Sequence, residues 1–182
     1  MKNIAIVAGG YSGEYKVSLK SADGLYSFID KDKYNLYKVL LRRDGWSVLF
    51  PDGSTTPVDR NDFSFNHNGT KVKFDFAYIT IHGHPGEDGR LQGYFDMLQI
   101  PYSSCGMLAS AVTFNKFTCT QFLKRQGVKV PDAIRIRHGQ QVSTDSITAE
   151  FGLPVFVKPN DGGSSLGAVS YTHLTLPTII TV

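Results

Sequence analysis

Residues 4–29 read IAIVAGGYSGEYKVSLKSADGLYSFI, and residues 34–41 read YNLYKVLL. The apolar run 4–8 is typical of a strand that is buried on both faces of a parallel sheet. Apolar residues then recur at helical spacing and predict a helix from about Tyr15 to Ile29. The β-branched and aromatic residues of 34–41 predict a second strand. Strand, helix and strand in this order predict a parallel pair with a right-handed crossover.

The same alternation continues along the next part of the chain. Residues 76–81 form another apolar run and predict a strand, and a helix is expected from Leu91 to Leu98. Between residues 43 and 70 the sequence is rich in glycine turns, which leave room for short hairpin strands around Trp46–Phe50 and Lys71–Phe74. Strands that alternate with helices predict the α/β class.

The remaining part has the pattern of a second unit. Helices are predicted over residues 108–112 and 115–126. Two strands, residues 133–137 and 154–159, are expected next, with a helix near 146–151 between them.

The composition argues against several classes of protein. The formal net charge is only +3, and no long basic run is present, so nucleic acid is not expected as a partner. No stretch approaches the ~20 apolar residues of a membrane helix, so no membrane association is expected. Cys105 and Cys119 fit neither a zinc pattern nor a redox motif, and we interpret them as reduced thiols of a cytoplasmic protein.

The first chemical motif is GGYSGE at residues 9–14, directly after the first strand. Backbone N–H groups at the start of a helix can hold an anion, whereas a carboxylate at Glu14 favours a cationic partner such as an ammonium group. The spacing is not that of a dinucleotide-binding loop. An ordinary turn, with Glu14 stabilising the helix N-terminus, would explain the motif equally well.

The second motif is HGHPGEDG at residues 82–89, at the end of a predicted strand. Ligands of open parallel sheets bind outside the carboxyl ends of the strands, so a functional loop is one interpretation. Adjacent acidic residues on a glycine-rich loop do not resemble a zinc site. We expect His84 to face solvent.

The third motif is VFVKP at residues 155–159, followed by the loop GGSSLG at residues 162–167. A lysine at the end of a buried strand offers a fixed ammonium to phosphate oxygens, and the loop supplies backbone N–H and hydroxyl donors. This combination is typical of phosphoryl transfer, although it is not a Walker A sequence. A flexible linker is the simpler alternative.

Taken in order, these motifs resemble the D-alanine–D-alanine ligases of the ATP-grasp superfamily. The matching segments, which reach from the N-terminus to residue 167, are GGYSGE and VSLKSA (9–14, 17–22), HGHPGEDGRLQG (82–93), IPYSSCG (100–106), Asn115-Lys116 and LPVFVKPNDGGSSLG (153–167). The resemblance implies a Rossmann-like, parallel-sheet N-terminal domain over residues 1–114 that binds substrate. It also implies the truncated start of an ATP-grasp, ATP-binding domain over residues 115–168.

The resemblance also implies roles for individual residues. Glu14 would anchor the ammonium group of the first D-alanine, and Ser164 would hydrogen-bond toward that glutamate, so both are candidate catalytic residues. Val17, Ser18 and His82 would line the substrate site. The ATP phosphates would be held or covered by Lys116, Lys158, Gly162, Gly163, Ser164 and Ser165.

The implied reaction is the ATP-dependent ligation of two D-alanines for peptidoglycan synthesis. In the family, ATP phosphorylates the carboxylate of one D-alanine to an acyl phosphate, the amine of the second D-alanine attacks it, and phosphate leaves from the tetrahedral intermediate; Mg²⁺ neutralises phosphate charge in both steps. The partners would be D-alanine and ATP, and the protein would be a homodimer.

Part of the family's machinery is not matched by this chain. The family's tyrosine-bearing loop, oxyanion-stabilising arginine and metal ligands lie beyond the matched segments, and no acidic residue follows Asp161. No metal ligand is therefore assigned here, and we expect an N-terminal fragment that does not turn over. Residues 171–182 read YTHLTLPTIITV and resemble translated sequencing-adapter read-through, so a non-native tail is expected over 169–182.

Other functions remain open at this point. A D-alanine–D-lactate ligase would use the same scaffold, and the residues that discriminate between the two lie outside the matched segments. A non-catalytic α/β module that binds an amino acid or a nucleotide is the alternative from a different class. An oxidoreductase is disfavoured, because the second strand ends at Leu41-Arg42-Arg43 without the acidic residue of dinucleotide-binding folds.

Overall fold

The computed structural model describes residues 1–173. Within this part the chain forms two compact units, Met1–Ala111 and a second unit that begins at Val112. The first unit contains, in chain order, β1 (Lys2–Gly9), α1 (Tyr15–Phe28), β2 (Tyr34–Arg42), β3 (Gly45–Leu49), β4 (Thr55–Asp59), β5 (Ser64–His67), β6 (Thr70–Lys73), β7 (Phe76–Ile79) and α2 (Arg90–Met97). Helix α3 (Met107–Phe114) extends across the division between the units.

One seven-stranded sheet organises the first unit, in the order β6-β5-β4-β3-β2-β1-β7. β1 pairs in parallel with β2 and with β7, so the predicted parallel strand–helix–strand unit and the α/β class are confirmed. From β2 to β6 the neighbours are antiparallel, which makes the sheet mixed. The predicted strands around Trp46–Phe50 and Lys71–Phe74 correspond to β3 and β6, whereas β4 and β5 were not predicted.

Both faces of the sheet are covered by apolar side chains, as the uninterrupted apolar run of β1 requires. On one face, α1 packs on a small cluster that includes Ile6, Ala22 and Leu40. On the other face, a larger and aromatic-rich cluster includes Phe63 and the α2 residue Phe95.

At the border of the larger cluster lies Tyr94. Its hydroxyl donates to the carbonyl oxygen of Arg60 at 2.8 Å. Burial raises the pKa of Tyr94 to about 12, because the phenolate would be poorly solvated there. Next to it, Trp46 packs edge-on against the Tyr94 ring, with the ring centroids 5.3 Å apart.

The second unit contains α4 (Lys116–Arg125), α5 (Thr144–Phe151), β8 (Val155–Val157) and β9 (Val169–Tyr171). β8 and β9 pair with each other in antiparallel orientation. The prediction of a strand at residues 133–137 is wrong, since these residues form no strand and all but Ile136 are exposed. A segment with strand-like residues forms a strand only when a partner strand pairs with it. Within residues 112–173 the strands β8 and β9 pair only with each other, so residues 133–137 have no partner there.

The expected non-native tail, residues 169–182, falls mostly outside the described part. Val169–Tyr171 forms β9, and residues 174–182 lie outside the described residues. Among residues 1–173, no helix is long and apolar enough to cross a membrane.

Candidate functional site

Two loops meet at the carboxyl edge of the parallel strands in the first unit. One follows β1 and contains residues 9–14, and the other follows β7 and contains residues 82–89. They are neighbours because β1 and β7 pair directly, in register from Ile4 with Phe76 to Val7 with Ile79. This edge is where open parallel sheets bind their ligands.

Gly10 allows the two loops to approach closely. Its φ is +91°, and an added Cβ would lie 2.5 Å from Cγ2 of Ile81 and 3.1 Å from the carbonyl oxygen of His84. A side chain is therefore excluded by both the backbone conformation and the available space. The N–H of Tyr11 donates to the same His84 carbonyl oxygen at 2.9 Å, which ties one loop to the other.

Ser12 connects the two predicted substrate-binding residues on these loops. Its Oγ donates to the carbonyl oxygen of His82 at 2.7 Å and accepts from the N–H of Glu14 at 3.2 Å. A Cβ on Gly83 would stand 3.0 Å from Cβ of Ser12 and 3.9 Å from Oε2 of Glu14. The structure thus brings the Glu14 carboxylate beside the loop that carries His82. Ser12 lies inside the first motif, but nothing in its sequence context indicated this role.

Glu14 is also the N-cap residue of α1. Its carbonyl oxygen accepts from the N–H groups of Val17 and Ser18 at 2.9 and 3.1 Å, and its carboxylate makes no capping hydrogen bond to the helix. Glu14 therefore caps α1 with its backbone and not with a hydrogen bond from its carboxylate.

The other two residues predicted to line the substrate site, Val17 and Ser18, differ in exposure. Val17 is 51% exposed in the first turn of α1, and Ser18 is fully buried. The Ser18 Oγ accepts from the N–H of Gly9 at 2.9 Å and lies 3.4 Å from Oγ1 of Thr80. Ser18 thus connects α1 to the carboxyl ends of the paired strands β1 and β7, while Val17 lies at the surface.

The loop at residues 82–89 is held by its own polar side chains. Oε2 of Glu87 accepts from the N–H of Gly83 at 2.6 Å, and Nε2 of the buried Gln92 donates to the Gly86 carbonyl oxygen at 2.6 Å. This loop therefore has a defined shape, in which the backbone next to His82 is fixed by Glu87. The spacing of five residues between His82 and Glu87 carried no recognisable signal of this contact.

The expectation that His84 faces solvent holds only in part. Its Nδ1 lies 2.6 Å from Oδ2 of Asp88, and its side chain is only 36% exposed. Arg90 also contacts the same Asp88 oxygen at 2.9 Å. The reason is local: Asp88 lies four residues after His84, and the turn between them brings its carboxylate back to the ring.

In the second unit, two of the residues predicted to bind phosphate, Lys116 and Gly162, meet at the start of α4. Nζ of Lys116 donates to the carbonyl oxygen of Gly162 at 2.6 Å. The backbone N–H of Lys116 donates to the carbonyl oxygen of Asn160 at 3.1 Å. Residues that are 46 positions apart in the sequence are therefore brought into contact, and a helix N-terminus adds its partial positive charge there.

The glycine–serine loop is compact. Ser164 and Ser165 have φ values of +49° and +54°, a left-handed conformation that is uncommon for serine. Two backbone bonds close the loop, from Leu166 to Gly163 at 3.1 Å and from Ala168 to Ser165 at 3.0 Å. Successive N–H groups in such turns form anion-binding concavities. Lys158 lies before this loop, directly after β8, and is exposed.

The described residues do not form a metal site. Within residues 1–173, no group of three or more His, Cys, Asp or Glu side chains is arranged to hold a metal ion.

Residues 3–105 match the family model described as D-ala D-ala ligase N-terminus. The chain belongs to the D-alanine–D-alanine ligase family. The matched segment contains both loops of the first unit and covers more than half of the 182 residues.

Individual relatives lead to the same family. The D-alanine–D-alanine ligase of Parabacteroides distasonis is 63% identical over 174 residues, which cover 96% of this chain and 53% of the relative. The crystal structure of the VanG D-Ala:D-Ser ligase from Enterococcus faecalis is 29% identical with a TM-score of 0.78, over 93% of this chain and 55% of that one. The Bacillus anthracis D-alanine–D-alanine ligase complexed with ATP is 27% identical with a TM-score of 0.69, over 93% and 50%. The chain spans about half the length of these ligases.

Proposed function

We propose that this chain provides the binding site for the first D-alanine and part of the ATP site of an ATP-dependent D-alanine–D-alanine ligase. The observation that carries this proposal is the meeting of two loops at the carboxyl edge of β1 and β7. There Ser12 joins the backbone of Glu14 to that of His82. Membership of the ligase family then suggests which amino acid the loops hold.

Glu14 is proposed to bind the ammonium group of the first D-alanine. Its carboxylate makes no capping hydrogen bond to α1 and lies beside Gly83, so it is placed to accept hydrogen bonds from a small amine in that loop. His82, Val17 and Ser18 are proposed to surround the same substrate. The buried Ser18 would act through the backbone it holds, whereas the exposed Val17 can contact substrate directly.

Lys116, Lys158 and the loop at residues 162–165 are proposed to hold the ATP phosphates. Support comes from the Lys116 ammonium at the N-terminus of α4 and from the left-handed turn of Ser164 and Ser165. Cationic groups and backbone N–H groups stabilise the charge of a transferring phosphoryl group. ATP supplies that group to the substrate carboxylate, and these residues would orient it and exclude water.

Mg²⁺ is proposed as the metal of the complete enzyme, although the described residues do not fit a metal site. Its ligands are expected in the half of the ligases that this chain does not span. We therefore propose that residues 1–167 are the N-terminal half of a longer ligase, with residues 115–168 opening its ATP-grasp domain. Determining the genomic reading frame beyond Gly167 by an adapter-free method tests this: acidic residues and an Asn late in a continuing frame support it, and a stop after Val182 contradicts it.

The activity is tested with a hybrid ligase, in which residues 1–167 of this chain are joined to the second half of the P. distasonis relative. ADP formation that depends on D-alanine is expected from the hybrid and not from the 182-residue chain alone. Glu14→Gln in the hybrid should weaken D-alanine binding at least about tenfold, because a charge-assisted contact to the ammonium is lost. A folded hybrid that binds ATP and forms no ADP would contradict the proposal.

A related ligase with another second substrate is the alternative. The likeness to the VanG ligase of E. faecalis supports this alternative, because that structure is named a D-Ala:D-Ser ligase. D-lactate in place of the second D-alanine would give an ester, which alkaline hydrolysis distinguishes from a peptide. For a non-catalytic binding module, D-alanine would bind to the 182-residue chain without any ADP being formed by the hybrid.

The cytoplasm is proposed as the compartment, because the reaction needs ATP and both Cys105 and Cys119 are unbridged thiols. A homodimer is proposed from the family resemblance. Light scattering of the hybrid would measure its mass, and a monomer would contradict the dimer.

A further inference from the structure

The N-terminus of α4 is capped by a residue from a distant part of the second unit. The first turn of a helix leaves backbone N–H groups without partners inside the helix. Here the N–H of Phe117 donates to Oδ1 of Asn160 at 2.9 Å, and the N–H of Lys116 donates to the carbonyl oxygen of Asn160. A single residue, 43 positions after Phe117, therefore satisfies two of these N–H groups.

A second pair of residues reinforces this contact. Oδ1 of Asn115, the N-cap residue of α4, accepts from the N–H of Thr118 at 2.9 Å. Its Nδ2 donates to Oδ1 of Asp161 at 3.0 Å, and the Asn160 side chain donates to the same oxygen at 3.1 Å. The start of α4 is thus fastened to residues 160–161 by side chains as well as by backbone.

The Lys116 side chain begins at this fastened point. Its Nζ lies 2.6 Å from the carbonyl oxygen of Gly162 and 3.4 Å from that of Asn160. Lysine has a long and flexible side chain, so the direction of its ammonium depends on where the helix start is held. Asn160→Ala would keep the backbone carbonyl oxygen that Lys116 contacts, but it would remove the Oδ1 acceptor of the Phe117 N–H and the side-chain bond to Asp161, and so loosen the helix start that carries Lys116.

We propose that Asn160 is a positioning residue, which directs the Lys116 ammonium to the glycine–serine loop and thereby to the ATP phosphates. The proposal rests on the phosphate-binding role of Lys116 given above. Asn160 itself needs no contact with nucleotide, because it acts through the α4 N-terminus.

Lysine labelling on the 182-residue chain tests the geometry independently of catalysis. Reductive methylation followed by peptide mass spectrometry gives a rate for each lysine, and Lys124, whose side chain is 56% exposed, is the internal reference. Asn160→Ala should raise the rate at Lys116 by about fivefold relative to Lys124, the size expected for the loss of one helix cap. Asn160→Asp keeps an acceptor for the Phe117 N–H but loses the donor to Asp161 and repels its carboxylate, so it should restore only part of the protection.

Ser143→Ala is the matched control. Ser143 is the N-cap residue of α5, where its Oγ accepts from the N–H of Ser146 at 3.4 Å. This variant loses a cap of the same kind in the same unit, and it should leave the rate at Lys116 unchanged. If Asn160→Ala unfolds the unit, the labelling rate at Lys116 is measured in Asn160→Gln instead. This variant keeps an amide but displaces it by one methylene, so it should also raise the rate.

Kinetics of the hybrid ligase separate this inference from the proposed function. Asn160→Ala should raise the KM for ATP about fivefold and leave the KM for D-alanine within about twofold. An equal rate at Lys116 in Asn160→Ala and Ser143→Ala, or an equal rise of both KM values, would overturn the positioning role. A wild-type hybrid without D-alanine-dependent ADP formation would contradict the proposed function alone, because the labelling result would still stand.

Discussion

Ser18→Ala is expected to destabilise the first unit through one buried backbone group. The Ser18 hydroxyl is fully buried and accepts from the N–H of Gly9 at 2.9 Å. Thr80 keeps an acceptor without it, since its Oγ1 also donates to the carbonyl oxygen of Val7 at 3.0 Å. The N–H of Gly9 is therefore the group that loses a partner in the variant.

The size of the effect follows from two opposing terms. Leaving a buried donor without an acceptor costs about 1–3 kcal/mol. Alanine is a better helix former than serine by about 0.5 kcal/mol, and Ser18 lies inside α1. The free energy of unfolding should consequently fall by about 1–2 kcal/mol.

Urea unfolding followed by tryptophan fluorescence measures this directly. Trp46 is the only tryptophan of the chain and packs against Tyr94, so its emission reports on the first unit. With a slope of about 1–3 kcal/mol/M, the midpoint should shift to lower urea by about 1 M and the slope should stay the same.

Ser27→Ala is the control for Ser18→Ala. Ser27 lies in the last turn of the same helix, is exposed, and donates its hydroxyl to the carbonyl oxygen of Gly24 at 2.7 Å. The same chemical change there should leave stability unchanged or slightly higher. If Ser18→Ala loses no more stability than Ser27→Ala, the structural importance assigned to the Ser18 hydroxyl is refuted.

Three further outcomes are expected. In the hybrid ligase, Ser12→Ala should raise the KM for D-alanine about two- to tenfold, because the hydroxyl joins Glu14 to His82; a change in melting temperature alone would contradict this. Gly10→Ala should lower the free energy of unfolding by at least about 2 kcal/mol in urea titrations, since its φ of +91° and the 2.5 Å approach both exclude a Cβ. The free energy of unfolding should fall as the pH rises from 10 to about 12, because unfolded chains lose the Tyr94 proton at lower pH than the native state. In urea titrations at several pH values, Tyr94→Phe should make this fall less steep. An equally steep fall in Tyr94→Phe would contradict the raised pKa of Tyr94.

The central part of the fold was predictable because its residues are buried on both faces. Residues 4–8 form an apolar run that is typical of a strand buried on both faces, and β7 also lies in an apolar run. β2 was recognised from its β-branched and aromatic residues. β4 and β5 gave a weaker pattern. β4 has the sequence TTPVD, in which Val58 is the only buried residue, so neither alternation nor an apolar run was visible.

The candidate site was predictable as motifs and not as contacts. Glu14 and His82 lie in segments that were recognised, but the hydroxyl of Ser12 that joins them depends on the pairing of β1 with β7. Asn160 carried no signal either, because its cap on α4 depends on a meeting of segments more than 40 residues apart. Roles that depend on bound substrate or ATP stay predictions.

The outermost strand β6 affects how the molecule behaves at high concentration. Lys71 and Lys73 are 51% and 71% exposed, and their ammonium groups lie 2.7 and 3.9 Å from Oδ2 of Asp62. A strand from another molecule that paired with β6 would have to desolvate both ammonium groups. Charged side chains on an edge strand disfavour such addition, so this end of the sheet resists the growth of intermolecular β-structure.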